Sequence, residues 1–376
     1  MKRAIIISCF DWYKGRLEYI EQSLISQGYD VTVWTSDFSH FDKCRVVKAG
    51  NINYIHVPSY KKNLSLARMF SHYIFAKKVA KILNVVKPDL VYAVIPPNFV
   101  ASVCGVYKRK HTDSKLIFDV IDMWPESYTA NRLIELPFRL WANLRDNSLQ
   151  YADHIFTECE LYQRFLDSRL CDKMSSLRLC RESACFAPLP MWNQKSLDIC
   201  YLGSINQLID IQLIGSLVKE LVGRFKVNVH IVGGGATKGE FVASLEKVGA
   251  NVKDHGVIFE KEKMRLIIGS SHFALNMMKP SVCVGLTIKS MDYFQLGVPI
   301  LNTIKGDTHD FVDSYHCGFN IDNITDVVCK ISNLSSLDYA NMRINTQNVF
   351  IEKLGRDAFV KSLNDGLKHF YDERNG

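Results

Sequence analysis

The sequence predicts two doubly wound α/β domains, each built on a parallel sheet, facing one another across a cleft. Three observations carry that expectation. Strands apolar on both faces alternate with helices from the first residues onward, the pattern of a parallel sheet covered on both sides. The alternation pauses at a proline-bearing stretch, "FAPLPMW" (186–192), and then restarts. At 376 residues the chain is also too long for one ordinary core and suits two.

Taken in order, "AIIISC" (4–9) is a continuous apolar strand, and "LEYIEQSLISQGY" is a helix closed by Gly28 at its C-terminal cap. "VTVWTS" (31–36) and "NYIHVP" (53–58) are strands, and 66–87 is a long lysine-rich helix. "DLVYAVI" (89–95), a helix near 98–110, "KLIFDVI" (115–121), a helix near 136–151 and "HIFTE" (154–158) complete the first sheet. The second opens with "LDICYLGS" (197–204) and runs through a helix (209–223), "VNVHIVGGG" (227–235), a helix (238–248) and "VKDHGVI". It continues with a helix (261–269), "HFALNMM" (272–278), a short helix ended by Gly297 and Pro299, and "VPILNTI" (298–304). The remaining chain reads as helical. The domains are expected at 1–190 and 191–354, with the C-terminal helix, 355–376, packing back on the first.

The net charge of +7 is uneven: residues 1–112 hold 17 Lys/Arg against 7 Asp/Glu, and the rest is net negative. A basic N-terminal half suits an anionic partner such as a membrane surface or a phosphate-bearing acceptor. No nucleic-acid reading motif accompanies it, so no nucleic acid is expected. The 11 cysteines include no CxxC pair; Cys9, Cys104 and Cys200 sit in apolar runs as small hydrophobes, as in a reducing cytosol. "MKRAIIISCF" reads as a first strand and not as a secretory signal. The longest apolar stretch, Leu90 to Tyr107, is interrupted by Pro96-Pro97-Asn98 and is not a continuous spanning helix. A cytoplasmic chain is expected, soluble or peripheral on a membrane.

Glycine turns carry the chemistry. Val284-Gly285-Leu286-Thr287 feeds the short helix that bears Lys289 and Asp292. Thr287 as N-cap would leave backbone N–H groups facing an anion such as a pyrophosphate. Lys289 adds a charge, and Asp292 can accept from ribose hydroxyls. The plainer reading is an ordinary capped helix with a surface Lys–Asp pair. "IVGGGATKGE" (231–240) gives GxGxxxG, but on the second strand of its sheet, where a dinucleotide fingerprint does not normally lie. It reads as a tight turn or as a glycine floor beside a sugar nucleotide. No metal-ligand cluster is visible, and no cofactor is expected.

The second half resembles the donor domain of GT-B glycosyltransferases of the family 4 type. The counterparts are Gly203, Gly233 to Gly235, Val284-Gly285-Leu286-Thr287 with Asp292, and Gly297-Val298-Pro299-Ile300. "KGDTHDFV" (305–312) and "CGFN" (317–320) resemble the segments that follow, and "DVIDMWPES" (119–127) resembles the D-x-W-P segment of members that build bacterial surface polysaccharides. The sequence departs from the family where Val284 replaces the first Glu of E-x7-E, Asp292 the second, Ser204 an Arg, and Ile209-Asp210 a Lys. Lys289 or Lys279 could substitute for the lost cations.

The resemblance implies a hexosyltransferase that uses a nucleoside-diphosphate sugar, UDP-linked by expectation, as co-substrate. Its acceptor would be a lipid-linked oligosaccharide. Expected donor contacts are Gly203, Ser204, Gly233, Gly234, Gly235, His255, Gly285, Leu286, Thr287, Lys289 and Asp292. Candidate catalytic groups are Asp122, Glu126 and Asp11; Trp124, Lys14 and Gly15 are acceptor groups. Asp122 and Asp11 also suit ordinary turns. His56, His72 and His154 read as structural. The long basic helix, with Arg68, Lys77, Lys78 and Lys81 beside Met69, Phe70 and Tyr73, suits shallow membrane contact or a core stripe with a solvated face. Two other classes stay open: a non-catalytic GT-B-like subunit that binds glycan or scaffolds a partner, and a sugar-nucleotide epimerase.

Overall fold

In the computed structural model, the strands pair in parallel throughout both sheets. The structure describes all residues except 11–13, 48–49, 64, 127–134, 183–185, 187–189, 191, 193–194, 369 and 371–376, together with all side chains of the rest save those of Lys14 and 135–137. Two units result: Met1–Leu179 with Phe359–Gly376, and Cys180–Ala358.

The first unit runs β1 (Lys2–Ser8), α1 (Lys14–Ser26), β2 (Tyr29–Ser36), β3 (Ile52–Ile55), α2 (Leu66–Val86), β4 (Leu90–Ile95), α3 (Asn98–Lys110), β5 (Lys115–Val120), α4 (Glu135–Leu149), β6 (His154–Thr157), α5 (Glu160–Gln163) and β7 (Met174–Ser176). The sheet order is β3-β2-β1-β4-β5-β6-β7. β4 is buried at every position, which is why "LVYAVI" shows no alternation: both faces are covered. Ser65 starts α2 by accepting a bond from the Arg68 amide. A last helix, α13 (Arg356–Leu367), brings Phe359 against Tyr19, with ring centroids 5.6 Å apart.

The second unit runs β8 (Ser196–Leu202), α6 (Ile211–Val222), β9 (Lys226–Val232), α7 (Lys238–Lys247), β10 (Asn251–Asp254), α8 (Lys261–Gly269), β11 (Phe273–Asn276), α9 (Ile288–Leu296), β12 (Ile300–Asn302), α10 (Asp307–Tyr315), β13 (Gly318–Asn320), α11 (Ile324–Ser332) and α12 (Ser336–Val349). Its order is β10-β9-β8-β11-β12-β13. Leu197, Ile199 and Tyr201 from β8 meet Val229, Ile231, Phe273 and Leu275 in the core. Trp192, at the end of the proline-bearing stretch, stacks on Tyr339 at 4.8 Å and so belongs to this core.

Two strands were not expected. β7 and β13 are three residues each, too short to show a period. A Cβ on Gly318 would lie 2.1 Å from the Ile300 carbonyl oxygen, so β13 depends on a residue with no side chain. "VKDHGVI" contributes only a short edge strand, β10. Among the described residues no helix is long and apolar enough to cross a membrane.

Candidate functional site

In the second unit β8 lies between β9 and β11, so the winding direction reverses beside it. Ligands of such sheets bind outside the carboxyl ends of the strands at that point. The loops leaving β8 and β11 pair there: Ile209 bridges Met278, and the Lys279 amide donates to the Leu208 carbonyl at 2.9 Å. Beside them lies a cavity of about 720 Å³ whose lining includes Asn206, Gln207, Asp210, Thr237, Glu240 and Lys279. Thr237 Oγ1 is buried and has no hydrogen-bond partner among the described residues. Asp210 caps α6, accepting from the Leu213 amide at 3.0 Å.

Thr287 does cap α9, within a reciprocal box: the Ser290 amide donates to Thr287 Oγ1 and the Thr287 amide to Ser290 Oγ, both at 3.1 Å. The box satisfies one first-turn donor and leaves those of Ile288 and Lys289 without helical acceptors. Thr287 Oγ1 also donates to Asn276 Oδ1 at 3.0 Å. Asn276, Asn302 and Asn320 sit in register at the ends of three neighbouring strands. Asn276 Nδ2 donates to Asn302 Oδ1 (3.0 Å) and Asn302 Nδ2 to Asn320 Oδ1 (2.7 Å). This ladder fixes the helix start to the sheet.

Gly285 and Leu286 lie on the inner side of the turn. Both are buried, and the Gly285 carbonyl accepts from the amide and hydroxyl of Thr308 at 2.9 and 2.7 Å. They seat the turn from within, because α10 begins against it.

Lys289 turns to the end of β8. Its Nζ lies 4.6 Å from the centre of the Tyr201 ring, and the Tyr201 hydroxyl donates to the Ser204 carbonyl at 2.8 Å. Burial pushes the ammonium down to about 8. Asp292 instead meets Arg181, whose Nε and Nη2 donate to Oδ1 at 3.0 and 2.9 Å. Burial raises the Asp292 carboxyl above its ordinary value, against the pull of Arg181. The surface Lys–Asp pair of the plainer reading is therefore replaced by two separate partnerships.

The glycines of "IVGGGATKGE" hold the two loops together. A Cβ on Gly233 would fall 2.0 Å from the Gly203 carbonyl oxygen, and one on Gly235 2.1 Å from that of Ile205. The Ile205 amide donates to the Gly234 carbonyl at 2.9 Å. The tight-turn reading describes this contact fully. His255 stacks on His230, with centroids 5.3 Å apart and His255 Nε2 3.1 Å from His230 Nδ1. His255, an expected donor contact, is thus one of a stacked pair.

In the first unit the winding reverses between β1 and β4. Asp122 and Trp124 follow β5 at this edge and are half-buried. Glu126, a candidate catalytic group, is half-buried and its carboxylate accepts from Arg145 Nη2 at 2.6 Å and Nη1 at 3.1 Å. Arg145 is fully buried and also donates from Nε to Asp146 Oδ1 at 2.8 Å, so two carboxylates share that core charge. Gly15 lies in the first turn of α1, with open space where a side chain would be. Asp11 and the side chain of Lys14 lie outside the described residues.

Sequence reasoning missed a buried triad beside these groups. Arg16 Nε and Nη2 donate to Asp119 Oδ2 and Oδ1 at 2.8 and 2.7 Å, and the Tyr92 hydroxyl donates to Oδ2 at 2.8 Å. It also missed Arg181, and the polar residues Asn206, Gln207 and Thr237. The last three carried a signal, since each follows a glycine turn at the carboxyl end of a strand; Arg181 carried none. Among the described residues no group of His, Cys, Asp and Glu is placed to hold a metal ion.

Whole-chain comparisons of structure find the same two-sheet architecture in solved proteins. Sucrose-phosphate synthase from Thermosynechococcus elongatus aligns with a TM-score of 0.66 at 10% identity, covering 99% of this chain and all of that one. The lipopolysaccharide outer core galactosyltransferase WaaB aligns at 0.65 and 13% identity, covering 98% and 100%. HepE from Anabaena, solved with UDP, aligns at 0.64 and 11% identity, covering 99% and 100%. The chain has the GT-B fold. No protein-family model matches the sequence, and no curated protein sequence does. The GT-B likeness spans both sheets and is one of architecture.

Proposed function

We propose that this GT-B chain is a glycosyltransferase that moves a sugar from a nucleoside-diphosphate sugar, UDP-linked, to a lipid-linked glycan acceptor in surface polysaccharide synthesis. The carrying observation is Lys289, held on Tyr201 beside the Gly203–Ser204 turn at the start of α9. A positive helix end and a cation at the winding reversal suit a diphosphate. Solved GT-B neighbours are described with UDP and with UDP-glucose, which supports the donor class.

In this reading the second unit binds the donor and the first the acceptor. Negative charge builds on the leaving diphosphate as the anomeric C–O bond breaks. The Ile288 and Lys289 amides, the Lys289 ammonium and Lys279 stabilise it; one such donor is worth roughly 3–4 kcal/mol in other enzymes. Lys289 and Lys279 take the place of the family cations absent at Ser204 and Ile209-Asp210. Asp292, with Oδ1 oriented by Arg181, offers Oδ2 to ribose. Asp122 is the candidate base for the acceptor hydroxyl, and Trp124 an aromatic surface for the acceptor. The first unit's exposed Leu66, Phe70 and Tyr73 beside Lys61, Lys62 and Lys77 support a peripheral position on an anionic membrane.

A thermal-shift and calorimetric screen over UDP-, GDP- and dTDP-sugars tests the donor reading. A ligand at 100 times its Kd raises stability by about 2.7 kcal/mol, and Asp292→Ala should weaken the hit by about 1–3 kcal/mol. No shift with any nucleotide sugar at millimolar concentration removes the proposal. The second reading, a non-catalytic subunit, is favoured by Asp210, which stands near the family's cation position and here serves as a helix cap. Binding without transfer or donor hydrolysis would select it.

A further inference from the structure

The first unit holds a second, smaller pocket that no donor contact explains. It is about 60 Å³ and is lined by Asn63, Ser65, Arg68, Met69, His72, Pro96 and the rings of Trp124, Phe138 and Trp141. At ~10–15 Å³ for each water-sized probe, it accepts a small head group and not a pyranose ring. It opens at the N-terminus of α2, a 21-residue helix capped by Ser65.

Its polar groups are incompletely used. His72 is 4% exposed and Trp141 5% exposed, yet His72 Nε2, Trp141 Nε1 and Arg68 Nε have no hydrogen-bond partner among the described residues. Orphaned buried polar atoms are costly and mark an absent partner. Arg68 Nη1 donates to the Asn63 carbonyl at 2.9 Å, and its guanidinium lies 5.9 Å from the Trp124 ring centre. Basic groups crowd this end of the sheet. Burial and Arg68, among other like charges, push His40 to about 4 and His72 well below its ordinary value. Lys43 is lowered by burial and Arg68, and Arg68 itself by burial, with Tyr60, Cys9 and Asp122 opposing. An anion in the pocket relieves this repulsion.

The apolar side of the pocket does not stop at its wall. Trp124 meets Trp141 at 5.4 Å, Trp141 meets Phe99 at 4.6 Å, and Phe99 meets Tyr73 at 5.5 Å. Tyr73 is exposed, as are Leu66 and Phe70 on the same helix and Leu140 on α4. An aromatic run thus leads from the half-buried Arg68 to an apolar surface.

We propose that this pocket binds the phosphate of a long-chain aliphatic phosphate ester, with the phosphate on Arg68 and the first carbons on Trp124 and Trp141. The chain leaves along Phe99 and Tyr73. Binding needs no nucleotide sugar and stands apart from the donor reading. Naming the ligand as the acceptor's lipid carrier rests on the transferase reading above.

The test is tryptophan-fluorescence titration of the full chain, without nucleotide sugar, against farnesyl monophosphate, farnesol and glucose 1-phosphate. Farnesyl monophosphate should bind at least tenfold more tightly than either of the others. Arg68→Gln should abolish its advantage over farnesol, and Arg68→Lys should keep part of it. Equal binding of farnesol and its phosphate overturns the anion site, and equal binding of glucose 1-phosphate overturns the aliphatic one. Both comparisons use the native chain, so they decide the matter even where a variant does not fold. A folded Arg68→Gln chain that still prefers the phosphate also overturns it. A donor screen that fails leaves these outcomes unaffected.

Discussion

Arg16 and Asp119 lie 103 residues apart in sequence and meet through two hydrogen bonds in a fully buried setting. Taking two charges out of water costs several kcal/mol per ion, and their pairing offsets that cost only while both partners are present. Asp119→Ala leaves the guanidinium uncompensated and should cost about 3–5 kcal/mol, read as a lowered denaturation midpoint in urea. Lys289 is the opposite case, a charge with an aromatic face for company. Its folded-state pKa, about 8, lies below the ordinary 10.5, so the unfolded chain holds the proton more firmly. The resulting penalty is present below pH 8 and is relieved as pH rises from 8 to 10.5. Stability should therefore gain over that window in the native chain and not in Lys289→Met. Binding of UDP should do the reverse, weakening as pH rises through 8, with the variant weak and flat throughout; a native profile as flat as the variant's would remove Lys289 from the donor site.

Among the elements, the two glycine-bearing loops of the second unit show how a motif can serve packing first. Gly233 and Gly235 have φ of +156° and +151°, and each faces a carbonyl oxygen where a side chain would stand. Gly235→Ala should cost about 1–3 kcal/mol, at the upper end because backbone and not a flexible side chain is in the way, measured by thermal unfolding. The GxGxxxG spacing was legible, but its meaning was not: a spacing does not say whether the close neighbour is a phosphate or another loop. The cap of α9 was legible at Thr287, since a threonine before an amphipathic run is a local signal. That Gly285 is consumed by α10 was not, since Thr308 lies 23 residues on.

For the whole molecule, the excess of positive charge in residues 1–112 and the exposed apolar side chains of α2 predict salt-sensitive binding to anionic vesicles. Replacing Lys61 and Lys62 by Glu should weaken partitioning onto phosphatidylglycerol vesicles about 30-fold or more, at about 1 kcal/mol per lysine removed, read by co-sedimentation. Equal sedimentation of native and variant chains would remove the membrane position. What the sequence determined alone was the two-sheet α/β architecture, the start of most helices and the glycine turns at strand ends, because period, capping and turn chemistry act over a few residues. What only the tertiary structure decided was which distant side chains meet: Arg181 with Asp292, Lys289 with Tyr201, Glu126 with Arg145, and Arg68 with Trp124. Those meetings depend on strand order and on which loops share a sheet edge. Neither is written in the spacing of apolar residues, so one period is compatible with many sets of neighbours.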